Sequence, residues 1–97
     1  MNSAKFPLGQ IVATPGALEA LENAGQSPAE FLSRHAACDW GEVCDEDKQA
    51  NDEALKTGVR LLSAYHTADD SKIWIITEAA DENGRREATT ILLPSEY

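Results

Sequence analysis

Basic residues are scarce in this chain: 8 Lys and Arg stand against 17 Asp and Glu, for a formal net charge of -9. A surface of that sign repels phosphate backbones and anionic headgroups, so no direct contact with nucleic acid and none with membrane is expected. The natural charged partner is a basic protein surface or a metal ion. Cysteine is nearly absent. Cys38 and Cys44 are too few for a disulfide scaffold, and the chain reads as cytoplasmic with both thiols reduced. No apolar run approaches the ~20 residues of a membrane span. The first ten residues hold one Lys and no long apolar stretch, which is unlike a secretory signal. Phosphate-cradling glycine loops are missing as well: neither G-x-x-x-x-G-K nor G-x-G-x-x-G occurs.

What is present is ordinary for one domain spanning residues 1–97, with 42% apolar and 26% charged residues. The short run Gly9-Gln10-Ile11-Val12-Ala13 suits an opening strand. Thr14 then caps a helix with Pro15 at its first position, Ala17, Leu18, Leu21 and Ala24 on one face, and Gly25 as its stop. Ser27-Pro28-Ala29-Glu30 is a second start with the spacing of a capping box, followed by Phe31, Leu32, His35 and Ala36. Asp45-Glu46-Asp47 places negative charge at the positive end of a third helix running to about Thr57, with Gly58 as its stop. That helix offers only Ala50, Ala54 and Leu55 for burial.

From Val59 the period changes to that of strands, over 59–67, 72–78 and 87–93, with turns at 68–71 and 81–84. The expected fold class is α+β: N-terminal helices packed on a three- to four-stranded antiparallel β-meander, with the strand near Ile11 returning to an edge. On the central strand either Ile73 and Ile75 or Trp74 and Ile76 face the helices. Both alternating sets are apolar, so the choice stays open, and cover on both sides is implied.

Chemistry is thin. His35, Cys38 and Cys44 form the one compact set of potential metal ligands, but H-x2-C-x5-C matches no common zinc spacing, and no metal or cofactor site is expected. A cysteine–histidine nucleophile lacks any activating context, and Asp45-Glu46-Asp47 lacks the glycine and glutamate of a calcium loop. The chain therefore reads as no enzyme. One feature stands out: Asp39, Glu42, Asp45, Glu46, Asp47, Asp52 and Glu53 lie close together, opposed by Lys48 alone, with Trp40 embedded among them. An acidic ridge beside an aromatic anchor is a candidate partner-binding face for a basic protein. The bland alternative makes Trp40 a core plug and the acids a solvated face.

The stretch from Leu8 to Leu21, LGQIVATPGALEAL, resembles a small bacterial family labelled "plasmid-related protein". So do Ser27-Pro28 with Phe31-Leu32-Ser33-Arg34-His35, Asp39-Trp40-Gly41-Glu42, Asp45-Glu46-Asp47-Lys48 with Asn51-Asp52, Lys72-Ile73-Trp74-Ile75-Ile76-Thr77-Glu78, and the ending from Thr89 to Tyr97. The resemblance spans nearly the whole chain. It implies an accessory protein found around mobile elements and carries no activity with it. Relatives sometimes bear a label as a restriction-system modification subunit. A methyltransferase needs a glycine-rich loop and an Asn-Pro-Pro-aromatic motif, and neither occurs here. The leading expectation is a non-enzymatic accessory or regulatory module acting by protein–protein binding. The alternative is an acidic, DNA-mimicking inhibitor of a restriction or other DNA-binding defence enzyme.

Overall fold

The computed structural model describes residues 5–97. Its elements begin where the caps place them. β1 (Gln10–Ala13) leads directly into α1 (Pro15–Ala24), whose N-cap Thr14 accepts from the Ala17 amide at 3.2 Å. The same Thr14 hydroxyl donates to Glu96 at 2.5 Å, and that carboxylate also accepts from the Gly16 and Leu93 amides. A carboxylate from the C-terminal 3-10 turn (Pro94–Glu96) thus sits at the positive end of α1.

α2 (Pro28–Ala36) starts after Ser27 as expected, but the capping box does not form. The Ser27 side chain makes no cap hydrogen bond, and Glu30 accepts from Gln26 Nε2 at 2.8 Å instead. α3 (Asp45–Thr57) opens on three acids and stops at Gly58. β2 (Leu61–His66), β3 (Lys72–Thr77) and β4 (Ala88–Leu92) then follow as two antiparallel pairs.

The fold class is α+β, with one correction to the sheet. Its order is β1-β4-β3-β2, and β1 runs parallel to β4, so the sheet is mixed and not wholly antiparallel. The reason is connectivity. A hairpin forces neighbouring strands antiparallel, whereas β1 reaches β4 only after three helices and two strands, which leaves its direction free.

Register resolves the ambiguity of the central strand. Leu61, Ser63 and Tyr65 of β2, Ile73, Ile75 and Thr77 of β3, and Thr89 and Ile91 of β4 are all buried on the helix side. There Ala17 and Leu21 of α1 and Phe31 of α2 pack on Tyr65, Ile73, Ile75 and Ile91. Each large apolar side chain so buried contributes about 1.5–3 kcal/mol. A second cluster joins Phe6, Trp40, Ala54 and Leu61. The other face carries Leu62, Ala64, Trp74, Ile76, Thr90 and Leu92. It is covered in part by the Tyr97 ring, edge-on to Trp74 at 5.8 Å, with the Arg60 guanidinium over Tyr97.

Arg86 fastens one end of this framework. Its buried guanidinium donates to three backbone carbonyls: Val59 at 2.8 Å, Glu78 at 3.0 Å and Ala54 at 3.0 Å. These acceptors belong to the segment before β2, the end of β3 and the last turns of α3. Backbone dipoles, including the negative end of α3, hold the buried cation, and burial lowers its pKa.

Candidate functional site

The acidic stretch begins in the loop between α2 and α3, which is pinned along β2. Trp40 O accepts from the Ala64 amide at 3.2 Å, and the Glu42 amide donates to Ala64 O at 2.7 Å. Between them Gly41 holds a φ of +73°, and a Cβ there would lie 2.0 Å from Ala64 O and against the Tyr65 ring. Only glycine permits that approach. The Tyr65 hydroxyl adds a bond to Asp39 O at 2.5 Å, and burial pushes its pKa up to about 12.

This attachment carries Trp40 inward. It is 4% exposed, lies 6.1 Å from the Phe6 ring and 5.7 Å from His35, and donates its indole N–H to Asp52 at 3.0 Å. Of the two readings of position 40, the anchor on the surface is corrected and the core plug holds: Trp40 is a core residue whose polar end is satisfied by an acid of α3.

The carboxylates divide into two groups. Asp39 is bound by Arg34 at 2.7 Å and by the Gly41 amide, and the Arg34 hydrogen bond holds its pKa below the usual carboxylate range. Glu42 pairs with His66, and Asp52 serves Trp40. Asp45, Glu46, Asp47 and Glu53 are exposed on α3, with no ion pair among the described residues.

α3 lies along the β2 edge because of a residue that sequence reasoning passed over. Asn51 is buried, and its amide exchanges both bonds with the Leu62 backbone, donating to the carbonyl at 2.7 Å and accepting from the amide at 3.1 Å. The arrangement leaves a groove of about 280 Å³ where α3 meets the outer sheet face, lined by Glu42, Asp47, Leu62, Ala64, Lys72 and Trp74. The partly exposed aromatic beside the acids is therefore Trp74. A signal for it existed in the doubly apolar alternation of β3, which obliges one large set to face away from the helices.

No family model, curated protein or solved structure matches this chain. Its geometry is what bears on function.

Of the residues weighed for metal or nucleophilic chemistry, Cys44 lines the groove, whereas His35 and Cys38 do not. His35 is fully buried, with Nδ1 2.5 Å from Ser63 Oγ and Nε2 2.8 Å from Thr77 Oγ1. Thr77 continues to Thr89 at 2.8 Å, and Thr89 donates to Leu8 O at 2.7 Å. Proton accounting fixes the chain's direction. Thr89 spends its single hydroxyl proton on Leu8 O, so Thr77 donates to Thr89 and must accept from His35 Nε2–H. Ser63 then donates to Nδ1, and His35 is the neutral Nε2–H tautomer. Burial, aided by the Arg86 charge, pushes its pKa down to about 4.

Cys38 is half-buried with its pKa raised by burial, and Cys44 is exposed at the start of α3. Among the described residues no three His, Cys, Asp or Glu side chains are grouped to hold a metal ion, and no helix is long and apolar enough to cross a membrane.

Proposed function

We propose that this chain is a non-enzymatic accessory or regulatory module that acts by binding another protein, in keeping with its resemblance to plasmid-related proteins. The partner presents a basic segment with an apolar side chain. One observation carries this reading: the groove puts Trp74 and Leu62 next to Glu42 and Asp47, at the end of a helix whose acids Asp45, Glu46, Asp47 and Glu53 face solvent. The apolar side chain seats against Trp74, and the partner's Lys or Arg residues meet the carboxylates. Rim charges of this kind govern association rate and salt sensitivity, whereas the aromatic contact governs lifetime.

The test is affinity capture from the host with three forms of the protein. Wild type retains a basic partner. Trp74→Ala shortens the lifetime of the complex and weakens it about tenfold or more. Reversal of Asp45, Glu46 and Asp47 to Lys slows association, most of all at low salt, where screening is least. A partner held equally by all three forms refutes the groove as the binding site. Release of the partner by duplex DNA favours phosphate mimicry over simple ionic docking.

A further inference from the structure

The two edges of the sheet are finished in opposite ways. At β2 every outward backbone group of Leu62 and Ala64 is occupied: Leu62 by the Asn51 amide, Ala64 by Trp40 O and the Glu42 amide. That edge is closed along 62–64. At β1 the Gln10 amide donates to Glu87 O and the Thr14 amide to Ile91 O, so the even-numbered residues of the strand bond to β4. The two-residue period of a parallel ladder then turns the N–H and C=O of Ile11 and Ala13 away from the sheet. No described residue meets them. Ile11 and Val12 are 45% and 42% exposed, and positions 9–13 hold no charge and no proline. Exposed edges are ordinarily blunted by a charge, a proline, a bulge, a cover or shortness, and among the described residues β1 has only its four-residue length.

We propose that β1 is a self-pairing edge: two copies of this chain join antiparallel through β1, about a two-fold axis at Val12, into one continuous sheet. The chemistry of the edge selects an extended backbone as occupant, and its symmetry selects a second copy. With the axis at Val12, Ile11 of one chain lies opposite Ala13 of the other, and each such pair exchanges both N–H···O=C bonds. Every free backbone group of the strand is then used. The two Val12 side chains face each other in the close, non-hydrogen-bonded pair on the outer face.

Charge allows this geometry and disfavours others. A chain of -9 resists meeting itself, yet β1 is neutral, and the unpaired acids of α3 lie along the opposite edge of the sheet. Joining at β1 keeps those acids far apart. The strand is only four residues long, so the interface falls below the ~800 Å² per partner of a standard complex and the dimer is weak.

Sedimentation equilibrium of the full chain, taken to about 1 mM, tests the proposal, with the weak affinity expected of a sub-standard interface setting that range. The expected result is an average mass rising toward twice the monomer value, together with slower hydrogen exchange at the Ile11 and Ala13 amides as concentration increases. Ala13→Pro deletes an outward N–H without touching the β4 ladder, and Val12→Lys sets two like charges face to face. Both variants stay monomeric with the circular dichroism of wild type. The exchange measurement stands without either variant should one fail to fold. A wild-type chain that remains monomeric, with Ile11 and Ala13 exchange independent of concentration, overturns the proposal. So does a dimer that persists in both variants.

Discussion

Acid should weaken this fold well before its carboxylates are protonated, because His35 is buried as a neutral ring. Free histidine titrates near 6.5, and in the folded chain burial brings it to about 4. The unfolded state therefore binds a proton over a range in which the folded state refuses one. Stability is complete above about pH 6.5 and is lost as the pH falls through the folded value. The gap of ~2.5 units is worth about 3 kcal/mol in total, and about 2 kcal/mol of it is gone by pH 5. Few other charges act on the ring. Arg86 is the one that disfavours its protonation, and its other neighbours are Phe6, Trp40, Ser63 and Thr77. Urea unfolding followed by circular dichroism reads the effect. With a slope near ~1 kcal/mol per M for a small domain, the midpoint should drop by about 2 M between pH 7 and pH 5. His35→Gln should lower stability at pH 7 and flatten the pH dependence above pH 5, a range in which Asp39, its pKa held down by Arg34, stays ionised. Equal slopes in wild type and His35→Gln, or a midpoint that does not move from pH 7 to pH 5, would falsify the assignment.

Two further substitutions test the packing. Trp40→Ala removes a buried ring from between Phe6 and His35 and frees Asp52, so thermal or chemical denaturation should show a loss of about 3–5 kcal/mol. Asn51→Ala leaves the Leu62 N–H and C=O without partners and should cost about 2–4 kcal/mol, and Asn51→Asp should not restore the loss, because a carboxylate oxygen would then face the Leu62 carbonyl.

Much of the fold was legible because its punctuation is local. Thr14-Pro15, Ser27-Pro28 and the acids at 45–47 mark three helix starts, Gly25 and Gly58 mark two stops, and the strand-like runs contain β2, β3 and β4. What escaped depends on contacts distant in sequence. The choice between the two readings of Trp40 is made by a loop pinned to β2 by backbone bonds, which leave no pattern in side chains. The docking of α3 rests on Asn51, one polar residue in a helix with little apolar surface, so periodicity gave no hint of which face turns inward. The buried side of β3 could not be chosen because Ile73 and Ile75 are matched in hydrophobicity by Trp74 and Ile76. The acidic positions were legible as a cluster, but not their division into those already engaged and those free. The parallel direction of β1 is a matter of long-range connection and has no local sign.

Arg86 has a consequence for how the molecule opens. A single planar group holds the last turns of α3, the approach to β2 and the exit of β3, so each of these loses a hydrogen bond to a shared cation when it separates. Releasing one leaves a largely buried cation with fewer acceptors, and that cost falls on whichever segment moves first. Local fluctuations should accordingly be coupled: the hairpin between β3 and β4 and the end of α3 are expected to open as one unit, with amide exchange at their shared anchor points at a common rate.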